Sequence, residues 1–179
     1  MRRTHLAIVL VTLLAAGLGG CASYVNIPPQ PGDTAIHKPD MIPVPELMTD
    51  ALMWATARYP VEPPYAVNLP ADTPRVTYSN VVERGTRGRG IAMSPEVEHL
   101  PTYHIAEVRI RGTRAQVDIV LPAGQGAAAT TVTLRSTMSG WRMQDARSWI
   151  AGVVPVPAAT YIPDAVFAPP PTQTDRKST

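Results

Sequence analysis

Two carboxylates and two imidazoles lie close together near the middle of the chain. They are Glu96, Glu98, His99 and His104, in the segment PEVEHLPTYH at 95–104. Side chains of these types can bind zinc or exchange protons near neutral pH. The spacing of the two histidines does not place them on one helical face, and the two prolines of the segment favour a loop. We therefore predict a solvated polar loop here, with no metal and no other cofactor.

Three arginines are interleaved with three glycines in the segment ERGTRGRG at 83–90. A guanidinium group suits phosphate and carboxylate groups because it donates several hydrogen bonds in a fixed planar arrangement. Arg84, Arg87 and Arg89 are therefore candidate anion contacts. The alternative is a long hairpin loop that its charge keeps soluble. A nucleotide-binding loop is not predicted, because no Walker lysine or helix start follows the glycines.

The one cysteine of the chain, Cys21, lies at the border between an apolar run and a proline-rich stretch. A short basic start precedes a 13-residue apolar run at 6–18, and two glycines follow it. A basic start, an apolar run of about 7–15 residues and small residues at its end are typical of a secretory signal peptide. The run is short for a bilayer span, which needs about 20 apolar residues. Residues 1–20 are therefore predicted to be a signal peptide.

The sequence Leu18-Gly19-Gly20-Cys21 resembles the lipobox of bacterial lipoproteins. The resemblance implies cleavage between Gly20 and Cys21, with a diacylglycerol on the Cys21 thiol and an acyl group on its amine. The expected partner is then the membrane, through acyl chains that together give firm anchoring. Since Ala22 follows in place of Asp, the resemblance implies the outer membrane of the bacterial envelope. An ordinary secretory signal that ends beside a cysteine is the alternative.

The charge of the chain is balanced once the signal peptide is set aside. The whole chain has 16 Lys and Arg residues against 14 Asp and Glu residues. Arg2 and Arg3 lie in the predicted signal, so 14 of each sign remain. A neutral chain is not expected to bind nucleic acid or polyanions in general. With 179 residues and 45% hydrophobic content, the chain is long enough for one domain with a buried core.

Hydrophobic periodicity predicts one helix followed by strands. The segment 45–60 begins and ends with proline and repeats its apolar residues at i, i+4 spacing, which predicts a helix. Five later segments alternate apolar and polar residues with a period of two, which predicts strands. These are 75–83, 103–111, 113–121, 130–138 and 141–150. Tight turns at Gly112 and Gly140 predict hairpins, so we expect an α+β fold: one helix on a curved antiparallel meander of four or five strands, with proline-rich tails.

The strands TRAQVDIVL and TTVTLRSTM, with the turn and strand GWRM, resemble those of NTF2-like and cystatin-like α+β domains. These motifs cover roughly residues 100–150. The resemblance implies a cone-shaped cavity into which His104 would point, with Tyr103 and Asp118 nearby as further pocket residues. The chain departs from the group in having one predicted helix, where such domains usually have two or three.

The chain is predicted to have four parts. Residues 1–20 are the signal peptide, 21–45 a lipid-anchored proline-rich tether, 46–167 the α+β domain and 168–179 a disordered tail. We expect a non-enzymatic, lipid-anchored envelope protein whose domain binds an envelope protein, a lipid or a cell-wall component. The alternative is a small-ligand carrier or an enzyme that uses an NTF2-like cavity.

Overall fold

The computed structural model describes residues 24–124, 128–149 and 155–162. The predicted signal peptide, the lipobox with Cys21 and the predicted disordered tail lie outside these residues. Within them, the chain forms two helices and seven strands. In chain order these are β1 (Tyr24–Ile27), α1 (Val44–Arg58), β2 (Tyr65–Asn68), α2 (Arg75–Thr86), β3 (Gly90–Ala92), β4 (Thr102–Arg111), β5 (Arg114–Val120), β6 (Ala129–Thr137) and β7 (Gly140–Trp149).

The described strands form one mixed sheet with the order β3-β2-β4-β5-β6-β7. Strands β4 to β7 are the antiparallel meander that the period-two alternation predicts. β2 pairs in parallel with both β3 and the first half of β4. β1 pairs antiparallel with the second half of β4, on the same edge. The α+β class is thus confirmed, with a second helix and with parallel strands that the periodicity did not predict.

Helix α1 packs against the meander and supplies much of the core. It spans most of the segment 45–60, as predicted, and contacts β4, β5, β6 and β7. Leu47, Ala51 and Ala55 are fully buried at i, i+4 spacing, so one face of the helix lies on the sheet. Burying such a continuous apolar face is the main source of stability for a helix of this length.

The segment 75–83, predicted to be a strand, is instead the first part of α2. The buried residues of this helix are Tyr78, Val81, Val82, Gly85 and Thr86. Their spacing of three, four, seven and eight residues defines one helical face. Val81 and Val82 are adjacent and both buried, which fits that face, whereas successive side chains of a strand point to opposite faces. Packing on α1 therefore overrides the strand preference of the β-branched residues.

The proline-rich segment at 21–45 is not a free tether, because β1 lies within it. Val25 and Ile27 are buried in the core, where they pair with Ile110 and Val108 of β4. This segment is more apolar than a solvated spacer requires, and β4 offers it a free edge. The folded part of the chain therefore includes residues from Tyr24 onwards, rather than beginning at 46.

A second proline-rich segment, 155–162, lies along the domain as an irregular strap. The Asn68 side chain donates to the carbonyl of Ala158 at 3.0 Å and accepts from the amide of Thr160 at 2.8 Å. The Ile162 amide donates to the carbonyl of Met93 at 3.2 Å. These hydrogen bonds hold the strap against the end of β2 and the residue after β3.

Candidate functional site

The face of the sheet opposite the helices carries the polar side chains of the meander. We call it the outer face. It is formed by Glu107 and Arg109 of β4, Gln116 and Asp118 of β5, Thr131 and Thr133 of β6, and Arg147 and Trp149 of β7. Residues that alternate with these along the strands, such as Val117 and Val132, are fully buried under the helices.

Glu107, Arg109 and Asp118 form a partly buried ionic cluster on the outer face. The Nη1 of Arg109 lies 2.9 Å from Oε2 of Glu107, and its Nη2 lies 2.8 Å from Oδ2 of Asp118. The two carboxylates are directly opposite each other on neighbouring strands, so they would repel without the guanidinium between them. Burial raises the pKa of Glu107, and Arg109 opposes that rise.

Hydrogen bonds extend the cluster in both directions across the sheet. The Thr131 hydroxyl donates to Oδ1 of Asp118 at 2.6 Å, and the Trp149 indole N–H donates to the Thr131 oxygen at 3.2 Å. On the other side, the Gln30 amide donates to Oε1 of Glu107 at 2.5 Å. A continuous polar chain therefore connects the N-terminal segment to the end of β7.

A cleft of about 430 Å³ lies over this polar chain. The cluster and Thr131 line it, together with Trp149 and two prolines, Pro28 and Pro155, from the segments at either end of the chain. Trp149 is 52% exposed, so its ring is available to a ligand while its N–H is already bonded. The cleft combines a flat apolar surface with fixed hydrogen-bonding groups, which is suited to binding a ring that carries polar substituents.

Four arginines lie side by side across the meander, near one end of its strands. Arg111 of β4 pairs with Arg114 of β5, Arg114 with Arg135 of β6, and Arg135 with Arg142 of β7. All four are exposed. Like charges directly opposite each other destabilise a sheet, so Arg114, Arg135 and Arg142 repel one another across the strands. Sequence reasoning missed this arginine row, although Arg111 and Arg114 flank the predicted turn at Gly112, and Arg135 and Arg142 flank the predicted turn at Gly140.

The structure does not bring Tyr103, His104 and Asp118 together. Tyr103 is buried on the helix side, where its hydroxyl donates to the carbonyl of Tyr59 and its ring meets Tyr65 edge-on. His104 points the other way, because successive residues of a strand face opposite sides. Asp118 belongs to the ionic cluster. Large side chains such as Tyr65 and Tyr103 fill the interior where the NTF2-like resemblance places a cavity.

His104 lines a separate, open cleft of about 980 Å³ at the far end of the sheet. Its Nδ1 lies 3.2 Å from the Nδ2 of Asn68, the residue that holds the strap. Burial lowers the pKa of His104. The wall of this cleft also includes Glu98, His99 and residues of the strap.

The acidic and histidine-containing segment at 95–104 is a short 3₁₀ turn followed by the start of β4. The hydroxyl of Ser94 donates to Glu96 at 2.5 Å, and that of Tyr161 donates to Glu98. Across the part of the chain that the structure describes, no three Asp, Glu, His or Cys side chains are grouped to hold a metal ion.

The arginine and glycine segment at 83–90 ends a helix instead of forming a hairpin loop. α2 continues to Thr86, and Arg87 closes it in the left-handed conformation, with φ 56° and ψ 42°. The amide of Gly88 donates to the carbonyl of Glu83 at 2.8 Å, which completes a common helix C-cap. Arg84, Arg87 and Arg89 are all exposed. Their contact with an anion stays a prediction.

Helices able to span a bilayer are not found in the described ranges 24–124, 128–149 and 155–162. No protein-family model matches the chain, and no solved structure matches it. A stretch of 126 residues, 70% of the chain, is 25% identical to the UDP-N-acetylmuramoylalanine--D-glutamate ligase of Ligilactobacillus salivarius (strain UCC118). The chain spans 25% of the length of that ligase. This likeness is too low and too partial to assign the chain to a family.

Proposed function

We propose that the chain is a non-enzymatic, lipid-anchored protein of the bacterial cell envelope that binds an envelope component. The observation that carries the proposal is the placement of the one cysteine, Cys21, after an apolar run and within a lipobox-like sequence. The start of β1 at Tyr24 supports it, because a folded domain then follows the anchor directly. The ligase activity of the partial relative is not proposed, because the likeness is 25% identical and spans only 25% of that ligase.

The cleft on the outer face is the proposed binding site. Its polar groups are already bonded to one another, with Arg109 held by Glu107 and Asp118, which suits a rigid binding surface. The exposed ring of Trp149 adds an apolar platform beside them. A sugar of a cell-wall polymer offers both an apolar ring face and hydroxyl groups, so a cell-wall saccharide is the component that this surface fits best.

Mass spectrometry of the N-terminus of the processed protein tests the anchor. We expect a chain that begins at Cys21 and carries acyl groups. The substitution Cys21→Ser should leave an uncut precursor, longer by about 20 residues and without acyl groups. Ser23→Ala, two residues away, is the control and should be processed normally. An unmodified Cys21, or cleavage at another bond, would contradict the proposal.

Photo-crosslinking in intact cells tests the binding site. A photoreactive phenylalanine analogue is placed at Trp149, in the cleft, or at Val76, which is 74% exposed on α2. We expect a saccharide-containing adduct from position 149 and none from position 76. Equal adducts from both positions, or none from 149, would count against the cleft.

A small-ligand carrier is the second candidate, and the cleft of about 980 Å³ beside His104 is the observation that favours it. Native mass spectrometry of the purified protein tests it by detecting a bound small molecule. A carrier should lose that molecule when the cleft is filled by His104→Trp, whereas filling the outer-face cleft by Thr131→Trp should have no effect. Purification without a bound molecule would count against this candidate.

A further inference from the structure

We infer that the end of the sheet carrying the arginine row faces the membrane and binds the anionic head groups of lipids. This end, the arginine end, consists of Arg111, Arg114, Arg135 and Arg142 with the hairpin turns at 112–113 and 138–139. The inference rests on the proposed lipid anchor at Cys21 and adds to it an orientation and a lipid preference.

The length of chain between the anchor and the sheet places this end close to the bilayer. Tyr24, the first residue of β1, pairs with Arg111, which is the first member of the arginine row. Cys21 lies three residues before Tyr24, and three residues reach at most about 11 Å when fully extended. Acyl chains on Cys21 therefore enter the membrane within about 11 Å of the backbone of β1.

The charges at the arginine end fit a surface of phosphate groups. Neighbouring strands are about 4.8 Å apart, so the four guanidinium groups span roughly 14 Å of sheet. The ion pairs recorded within the described residues involve Arg109 and Arg147, and none involves Arg114, Arg135 or Arg142. Burial raises the pKa of Asp50, and Arg142 opposes that rise at longer range, without an ion pair. Lipid phosphates would relieve the repulsion along the row, because each can accept bonds from a guanidinium.

Exposed apolar side chains lie at the same end. Met138 is fully exposed at the tip of the turn between β6 and β7. Ile42 is 86% exposed just before α1, and α1 begins at this end because Glu46 lies beside Gly140. Basic residues next to protruding apolar residues are typical of surfaces that lie at the interface of anionic membranes.

The experiment measures which end of the domain meets lipid. The full-length protein is purified from membranes in detergent and reconstituted into vesicles of phosphatidylcholine, alone or mixed with phosphatidylglycerol. Because Cys21 is blocked by acylation, Met138→Cys provides one free thiol for a fluorescent label. Ala123→Cys, exposed in the loop after β5 at the opposite end of the strands, is the matched control. Lipids with spin-labelled head groups serve as quenchers.

We expect loss of fluorescence from position 138 in the phosphatidylglycerol vesicles, little loss at position 123, and recovery at high salt. The triple variant Arg114→Gln, Arg135→Gln and Arg142→Gln should reduce the loss at 138 to the level seen in phosphatidylcholine. The variant Arg58→Gln removes an exposed charge at the other end of α1 and should leave it unchanged. Equal quenching at both label positions, or an effect of Arg58→Gln alone, would overturn the inference.

The mass of the N-terminal peptide that contains Cys21 distinguishes failure of the anchor from failure of the orientation. An acylated Cys21 with an unquenched label at 138 overturns the orientation and leaves the proposed function standing. An unmodified Cys21 overturns the proposed function. In that case flotation of the unlabelled chain with phosphatidylglycerol vesicles decides the head-group contact: binding that the first triple variant abolishes supports it, and absence of binding overturns it.

Discussion

Arg109 and His104 lie on the same face of β4, yet their surroundings give them different properties. Arg109 is enclosed by two carboxylates that sequence alone could not pair with it, because the pairing depends on the register of β4 and β5. His104 lies beside the side-chain amide of Asn68, and burial lowers its pKa. The sequence placed Asp118 near a pocket with His104, whereas the strand register pairs it with Glu107 and Thr131. The same reason explains why the arginine row was missed.

His104 should make stability depend on pH below neutrality. Burial lowers its pKa in the folded state below the usual value of 6.5, so the unfolded chain takes up the proton more readily. The contribution of His104 to the free energy of unfolding is therefore complete above about pH 6.5. It is lost as the pH falls from there towards the lowered folded-state pKa. Urea unfolding at several pH values between neutrality and moderate acidity should show a smaller loss for His104→Gln than for the wild type.

The control for this measurement is His99→Gln, which removes an exposed imidazole from the same cleft. On acidification, His99→Gln should lose as much stability as the wild type. If His104→Gln and the wild type lose stability equally on acidification, burial of His104 is not the source of the pH dependence.

At the scale of the elements, α1 and the four strands of the meander were predictable because their apolar periods are long and regular. β2 and β3, with four and three residues, are too short to give a period of their own. α2 was predicted as a strand because its β-branched residues suggested alternation. β1 was not predicted because prolines surround it. Its pairing also depends on β4, which lies more than 80 residues further along the chain.

The close approach of α1 and α2 depends on Gly85. A Cβ at this position would lie 2.8 Å from Cδ2 of Leu52 and 3.1 Å from its Cβ. We expect Gly85→Ala to lower the free energy of unfolding by about 1–2 kcal/mol, because overpacking outweighs the gain in helix propensity. Chemical denaturation measures the change. Ser79→Ala, exposed on the same helix, should have little effect, and a stabilised Gly85→Ala variant would contradict this packing.

At the scale of the whole molecule, the overall charge conceals how the charges are distributed. Outside the predicted signal the chain is neutral, which argued against binding to anions in general. The fold nevertheless gathers four exposed arginines at one end of one sheet and brings the N-terminal strand beside them. Composition cannot reveal such an arrangement, because the row depends on the registers of three pairs of strands. The lipid anchor, the signal peptide and the disordered tail stay predictions from sequence.

Distance from the anchor should control the orientation of the domain. An insertion of about 12 Gly and Ser residues between Ala22 and Ser23 has a mean span of about 20 Å and would release β1 from its position near the bilayer. We expect quenching at position 138 to fall, while acylation of Cys21 and the unfolding transition stay unchanged. The same insertion between Ala123 and Gly124, at the other end, should preserve quenching. Unchanged quenching after the first insertion would show that the anchor does not hold the arginine end.

The pairing of β1 with β4 also sets an order of events during the maturation of the proposed lipoprotein. Closing a loop of more than 80 residues is slow compared with forming the local hairpins of the meander, so β1 is expected to join the sheet late. In the precursor, β1 would begin four residues after the proposed cleavage bond. Until β1 joins the sheet, the second half of β4 would present an unpaired edge, with Val108 and Ile110 uncovered. The proposed lipoprotein would therefore pass through a state in which its sheet has a free edge close to the site of lipid attachment.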